Sequence, residues 1–390
     1  MHKASASQIA TAGMLALAAA MGIGRFAFTP LLPMMHEDYG VTVAQGSWLA
    51  TANYLGYLAG ALAAMAVRTS AAAAIGGGLA AIGATTLGMG IAHDYAAWLV
   101  LRAVAGVASA WVLIYLSAWS LERLAALDAR HMSGRIYAGV GLGTMATGVA
   151  NLAMMHAGWS ADAGWIAFGA LSLLALAVTA PVFFMRSREV ANAPSSRLQW
   201  NASALRLVVC FATAGFGYIV AATFLPTMAK QLIDDPAVFG WSWPVFGAAA
   251  LGSTLAAPAL RNPIPQRRLW AVSQFAMAAG VAVPALSHTM AAIIISGLLV
   301  GGTFMVITMA ALQEARTLAG AQAVGLLSAM TAAFALGQML GPLSVSLVFA
   351  LGGGLDAALL LGASVLIAGG CALLIEPRAA SAQSNPQVGN

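Results

Sequence analysis

The sequence predicts an all-α integral membrane protein with twelve transmembrane helices in two pseudo-symmetric six-helix bundles. The chain of 390 residues is 61% hydrophobic and 7% charged, with a mean hydropathy of +0.86, whereas soluble proteins carry about 25% charged residues. Apolar runs of roughly 20 residues, each long enough to cross a hydrocarbon core, recur along the whole chain. A motif of the first half also returns in the second half.

The repeated motif begins as Gly22-Ile-Gly24-Arg25 and reappears as Gly215-Phe-Gly217-Tyr218. The offset of 193 residues (215 − 22) also aligns Trp48 with Trp241. Because this offset is close to half of the 390 residues, the sequence predicts two homologous halves in tandem.

Six predicted spans precede a polar linker and six follow it. We place the first bundle at 1–190, a cytoplasmic linker at 191–204 and the second bundle at 205–390. The predicted spans are 8–35, 43–67, 71–92, 95–119, 134–156, 162–185, 205–231, 239–260, 268–287, 289–313, 322–350 and 355–375.

The distribution of charge predicts the orientation in the membrane. With the N-terminus inside, the predicted outer loops contain Lys230 as their one basic residue, while the other loops and the tails hold Lys3 and the loop arginines. This positive-inside asymmetry predicts a multi-pass protein of the bacterial inner membrane with both termini cytoplasmic. The asymmetry also accounts for the net charge of +5 without a nucleic acid partner.

Two arginines, Arg25 and Arg102, lie inside predicted spans, and no Asp or Glu lies in the middle of a span. A central arginine costs about 2.5–3.5 kcal/mol on insertion scales. We therefore expect a cationic cavity that binds an organic anion, because guanidinium groups bind carboxylates bidentately. In the alternative interpretation, backbone carbonyls and the ends of broken helices satisfy each arginine, and neither meets a substrate.

The twelve spans in two parallel repeats resemble the major facilitator superfamily (MFS). Arg102-Ala-Val-Ala-Gly106 resembles the R-x-x-x-G pattern of its fourth helix. The more specific opening Gly22-x-Gly24-Arg25-Phe26-x-x-Thr29-Pro30-Leu-Leu-Pro33 resembles the YbfB/YjiJ-like branch of bacterial inner-membrane transporters. The resemblance covers essentially the whole chain and implies the major facilitator fold and secondary active transport by alternating access.

The chain departs from the superfamily at two places. The Gly-x-x-x-Asp-Arg-x-Gly-Arg loop between helices 2 and 3 is reduced to Val67-Arg68-Thr69-Ser70, so other contacts must hold the inner gate closed. Drug/proton antiporters carry Gly-x-x-x-Gly-Pro in helix 5. Here helix 5 has Gly139-x-x-x-Gly143 without a proline, and helix 11 has Gly337-x-x-x-Gly341-Pro342, which weakens a simple antiporter assignment.

The candidate substrate-binding residues are polar or aromatic side chains expected near the midplane, where repeat transporters bind their substrates. Tyr218 replaces Arg25 in the second copy of the motif and breaks the two-fold symmetry where an asymmetric ligand is expected. Each polar candidate could alternatively bond a neighbouring helix. The candidates are Arg25, Thr29, Asn53, Tyr57, Arg102, Tyr115, Asn151, Tyr218 and Gln338.

Repeated glycines and prolines are candidate gating residues. Proline removes a backbone hydrogen bond and kinks a helix, and glycine allows neighbouring helices to approach closely. Alternatively, both are simply frequent in membrane helices. The candidates are Gly22, Gly24, Pro30, Pro33, Gly215, Gly217, Pro226, Gly337, Gly341 and Pro342.

The favoured function is a secondary active transporter that moves a small organic solute, in particular an organic anion such as a carboxylate. The alternative is an efflux pump for amphipathic or hydrophobic compounds, which the 19 methionines would suit. A non-transporting sensor or scaffold is disfavoured, because the sequence offers no soluble domain to pass a signal on. We expect a monomer in the lipid bilayer, a proton or counter-anion as coupling partner, and no enzymatic activity, cofactor or metal.

Overall fold

The computed structural model describes residues 4–67, 69–184, 200–232, 241–259 and 264–375, with the backbone alone at 43, 224–232 and 259. These residues form long helices, and no β-strand occurs among them. The helices are α1 (Ala6–Tyr39), α2 (Val43–Ala66), α3 (Ala71–Ile91), α4 (Tyr95–Ala126), α5 (Ser133–His156), α6 (Ala161–Phe184), α7 (Ala202–Leu232), α8 (Ser242–Ala256), α9 (Gln266–Leu286), α10 (Met290–Ala319), α11 (Ala323–Ala350) and α12 (Leu355–Leu374).

Ten stretches of the described residues are long and apolar enough to cross a membrane. One of them, Met290–Ala350, contains both α10 and α11. The described part of α8 has 15 residues, which is shorter than a full span. The all-α membrane fold predicted from composition is therefore confirmed.

Local sequence signals set the helix ends. Ser5 and Thr42 form capping boxes at the starts of α1 and α2, which satisfy orphan backbone N–H groups. Gly40, with φ of 65°, ends α1. The Asn201 side chain accepts a hydrogen bond from the Ala204 N–H, so α7 begins at Ala202 and the last residues of the predicted linker 191–204 are helical. Linker residues 191–199 lie outside the described part of the chain.

Helix packing follows the internal repeat. In the first half α1 packs on α5, α2 on α4 and α3 on α6. In the second half α7 packs on α11, α8 on α10 and α9 on α12. The halves meet where α5 packs on α8 and α2 packs on α11. Moving each helix number by six exchanges these two contacts, as a pseudo-two-fold axis requires.

Glycines bring the paired helices close together. A methyl group added to Gly22 would collide with the Gly143 backbone where α1 crosses α5. In the second half, one added to Gly337 would collide with the Ala212 carbonyl where α11 crosses α7. At the contact between the halves, one added to Gly141 would lie 2.8 Å from the Gly247 carbonyl oxygen. Lipid supplies no hydrophobic driving force for helix association. Small residues allow close van der Waals packing between the helices instead.

Polar contacts join the halves at the end of the bundle where α1 begins and α12 ends, which we call the termini end. Glu122 of α4 pairs with Arg316 of α10 at 3.4 Å. Gln313 Nε2 of α10 donates to Ser133 Oγ of α5 at 2.7 Å. These contacts connect the two halves at the end where the superfamily loop is reduced. Arg68 of that loop lies outside the described residues.

Gly141→Val should destabilise the contact between α5 and α8. The added side chain overpacks a backbone contact, which costs about 1–3 kcal/mol, and we expect a lower melting temperature of the purified protein. Gly77→Val is the matched control, because nothing lies within 4 Å of a methyl group at Gly77. Equal melting temperatures for the two variants would contradict the packing described here.

Candidate functional site

The middle of α1 is not α-helical. An α-helix over Ala6–Leu17 passes into a π-helical stretch over Ala18–Phe26, and an α-helix resumes over Phe28–Tyr39. The change of hydrogen-bond pattern re-aims backbone carbonyls, and in a membrane each of these needs a partner. Arg25 is the charged residue of this stretch.

Side chains from α2 and α4 supply the partners of those carbonyls. Ser109 Oγ donates to the Ala20 carbonyl at 2.8 Å. Asn53 Nδ2 donates to the Gly24 carbonyl at 3.3 Å and to the Arg102 carbonyl at 3.0 Å. We call these two donors, together with Arg102, the clamp. A methyl group on Gly24 would lie 2.8 Å from Ser109 Oγ, so the contact with the clamp requires glycine at this position.

Arg102 belongs to the same clamp. Its Nη1 donates to the Gly24 carbonyl at 3.3 Å and its Nη2 to the Arg25 carbonyl at 3.2 Å. The guanidinium carbon lies 4.7 Å from the centre of the Phe28 ring, a favourable cation–π distance. The side chain is buried and holds the backbone of α1 in place.

Arg25 lies between the halves. Its Nη2 donates to Gln338 Oε1 of α11 at 3.0 Å, and its guanidinium carbon lies 3.9 Å from the centre of the Tyr57 ring. Its Nε has no hydrogen-bond partner among the described residues. The ion pairs of the described residues involve neither Arg25 nor Arg102.

A narrow cavity adjoins Arg25 and is lined by both halves. It leaves about 10 Å³ for the centre of a water molecule, which is room for roughly one water. Each lining residue is at most 5% exposed, so solvent reaches little of the cavity wall. The lining residues are Met21, Arg25, Tyr57, Leu113 and Val140 of the first half and Phe211, Phe304, Met305, Thr308 and Phe334 of the second.

Tyr218, the counterpart of Arg25, lies among aromatic rings behind this cavity. Its ring stacks on Phe304 at a centroid distance of 4.4 Å and an interplanar angle of 14°. Phe334 and Phe246 lie 6.4 Å and 6.2 Å away. The second half therefore presents aromatic faces where the first half presents a cation.

The remaining predicted substrate-binding residues lie away from the cavity. Thr29 is exposed. The Tyr115 hydroxyl donates to the Val67 carbonyl at 3.1 Å, at the termini end of α2. Asn151 Nδ2 donates to the Pro30 carbonyl at 2.6 Å. The structure thus brings Arg25, Tyr57 and Gln338 together at the cavity, with Asn53 and Arg102 behind them.

The predicted gating glycines contact neighbouring helices of their own half. Gly215 packs on the Phe334 backbone, Gly217 on Leu366 and Gly341 on Ile219. Pro33 and Pro342 lie inside α1 and α11. Pro226 lies outside the residues whose side chains are described.

Cavity residues of α10 and α11 were missed by the sequence reasoning, although the internal repeat contained a signal for two of them. At the 193-residue offset, Trp111 of α4 corresponds to Phe304 and Tyr115 corresponds to Thr308. Phe304 and Thr308 line the cavity, whereas Trp111 donates from Nε1 to the Gly60 carbonyl. The two halves use equivalent positions differently.

The two buried arginines should respond oppositely to removal of charge. Arg25→Met removes a buried cation without an acidic partner and breaks one hydrogen bond, to the neutral amide of Gln338, so we expect a raised melting temperature. Arg102→Met also removes such a cation, but it leaves the Arg25 carbonyl of the backbone without its donor, at a cost of about 1–3 kcal/mol, and should lower the melting temperature. Thermal unfolding of the ligand-free protein measures both, and equal shifts of the same sign would contradict this division of roles.

Comparison with known proteins identifies the family and the fold of the chain. A family described as "Uncharacterised MFS-type transporter YbfB" matches residues 17–374, and no curated protein matches the chain. The crystal structure of the human organic anion transporter MFSD10 (TETRAN) is similar with a TM-score of 0.74 and 15% identity, over 95% of this chain and 100% of that one. At such identity the likeness concerns the fold. The chain is a transporter of the major facilitator superfamily, not an enzyme, and belongs to the YbfB-type family.

Proposed function

We propose that this transporter moves a small organic anion, such as a carboxylate, across the bacterial inner membrane by alternating access. The observation that carries the proposal is Arg25, a buried cation on the cavity between the halves with no acidic partner among the described residues. A charge in such a place is expensive unless a ligand compensates it.

The hydrogen bonds of Arg25 leave donors for an anion. The present bond to Gln338 is to a neutral amide oxygen, and Nε has no partner. A carboxylate would replace the amide oxygen with a charged acceptor, and such bonds are about twice as strong as neutral ones. The guanidinium carbon lies 3.9 Å from the centre of the Tyr57 ring, so in our proposal the ligand approaches from the cavity side.

Alternating access is supported by the packing of the halves. The cavity lies between the two repeats, where repeat transporters bind their substrates, and its lining is buried. Access from the termini end would require parting the contacts of Glu122 with Arg316 and of Ser133 with Gln313. The Glu122–Arg316 pair is partly exposed and costs little to break and reform, whereas Ser133 is buried and its bond with Gln313 must be replaced when the halves part.

Our proposal for energy coupling rests on the residue types that line the cavity. The cavity lining contains no Asp, Glu or His, the residues that serve as proton carriers in many transporters. In our proposal the carboxyl group of the substrate carries the proton, or a counter-anion is exchanged. We place both termini in the cytoplasm, on the basis of the positive-inside rule, and propose a monomer.

The lining also supports a second candidate, export of amphipathic or hydrophobic compounds. Met21 and Met305 line the cavity together with three phenylalanines, and methionine adapts to ligands of varied shape. Drug susceptibility of a strain lacking the protein tests this function. An unchanged susceptibility across a broad panel would eliminate it.

Arg25→Gln should weaken binding of the transported anion at least about tenfold, because charge-assisted hydrogen bonds are lost. Arg25→Lys should retain part of the affinity, since it keeps a point charge without the planar fork. The measurement is a thermal-shift screen of monocarboxylates against cationic drugs, followed by uptake into proteoliposomes.

Arg135→Gln is the matched control for Arg25→Gln. Arg135 lies at the termini end and donates to Ser7 Oγ at 3.3 Å, so its replacement should leave anion binding unchanged. Full anion affinity in Arg25→Gln would end the proposal of an anionic substrate.

Uptake of the carboxylate into proteoliposomes should respond to a pH gradient or to a counter-anion loaded inside. The expected response follows from a proton that travels on the substrate or from exchange of one anion for another. Uptake that instead requires a sodium gradient and ignores both conditions would refute this form of coupling.

A further inference from the structure

The two walls of the cavity differ in chemistry. The wall of the first half contains Arg25 with the Tyr57 ring against it. The wall of the second half contains Phe211, Phe304 and Phe334. A ligand that fills this space therefore meets a cation on one side and aromatic rings on the other.

The aromatic wall is an ordered array of rings. Phe304 stacks on Tyr218 at 4.4 Å and 14°. Phe211 and Phe334 lie 4.8 Å apart at 32°, and Phe304 and Phe334 lie 6.4 Å apart at 35°. These distances fall in the range of favourable ring–ring contacts.

We infer that the transported anion is a monocarboxylate with a flat aromatic ring, an inference that rests on the proposed function. The carboxylate binds the guanidinium of Arg25, and the ring lies against the phenylalanines of the second half. The cavity is narrow, so a flat ring needs less displacement of the walls than an aliphatic ring of the same carbon count. Met21 and Met305 add sulfur–aromatic contacts at its edges.

The charge of the ligand is limited to one carboxylate. Arg102 has its guanidinium on the carbonyls of Gly24 and Arg25 and is not among the cavity-lining residues. The polar residue of the opposite wall is Thr308, whose hydroxyl donates to the Phe304 carbonyl at 3.1 Å. A second carboxylate would face phenylalanine rings without a cation, and burial of an unpaired charge is strongly unfavourable.

The test compares ligands that differ in one property each. Benzoate and cyclohexanecarboxylate share charge and carbon count and differ in the ring. Terephthalate adds a second carboxylate, and benzamide removes the charge. Competition against radiolabelled benzoate on the purified full-length protein, and on Arg25→Gln and Phe304→Leu, measures the affinities.

We expect benzoate to bind about 3- to 10-fold more tightly than cyclohexanecarboxylate, the range that aromatic pairing supplies. Terephthalate and benzamide should each bind at least about tenfold more weakly than benzoate. In Phe304→Leu the preference for benzoate should fall while cyclohexanecarboxylate still binds, which shows that the variant is folded.

Two results would overturn the inference in distinguishable ways. Equal affinities for benzoate and cyclohexanecarboxylate in the wild-type protein, both lost in Arg25→Gln, would refute the aromatic ligand and leave the anion transporter intact. Benzamide binding as tightly as benzoate, with Arg25→Gln unchanged, would refute the proposed function itself. The comparison in the wild-type protein needs no variant, so it stands even where Phe304→Leu fails to fold.

Discussion

The structure depends on the requirement that every backbone carbonyl inside a membrane has a partner. In the π-helical stretch of α1, Ala18–Phe26, side chains of other helices supplement the i→i+5 backbone bonds. Ser109, Asn53 and Arg102 donate to the carbonyls of Ala20, Gly24 and Arg25. The packing of α2 and α4 therefore supports this stretch, and their donors position the part of the chain that carries Arg25.

This clamp divides the work of the two buried arginines. Arg102 donates to backbone carbonyls of α1, whereas Arg25 donates to Gln338 of the second half and lines the cavity. The Nε of each arginine has no hydrogen-bond partner among the described residues. The contacts of Arg102 fit the interpretation in which backbone carbonyls satisfy the arginine, and a substrate role for Arg25 stays a prediction.

The sequence predicted the fold class well because composition and repeat length are global properties. Of the predicted substrate-binding residues, Arg25 and Tyr57 line the cavity and Gln338 bonds to Arg25, while their role in binding a substrate stays a prediction. Thr29 follows Arg25 by four residues, a spacing that places two side chains on one face of a regular α-helix. The π-helical stretch interrupts that regularity, and Thr29 is exposed while Phe28 is buried.

The aromatic wall shows a second limit of sequence reasoning. Phe304 and Phe334 are apolar residues in apolar helices, so their type alone does not separate a ligand wall from ordinary packing. The internal repeat relates Phe304 to Trp111, but the Trp111 ring is engaged by the Gly60 carbonyl. Position in the repeat thus indicates where to look, and the tertiary contacts decide which copy faces the cavity.

The helix α4 is long enough to connect the clamp with the contact between the halves at the termini end. This helix runs unbroken over Tyr95–Ala126 and carries Arg102 near one end and Glu122 near the other, about 30 Å apart at 1.5 Å per residue. A tilt of about 5° about the clamp would shift Glu122 by roughly 2.6 Å over that length, comparable to its 3.4 Å separation from Arg316. A small tilt of α4 beside the cavity therefore changes the contact between the two halves at the other end of the helix.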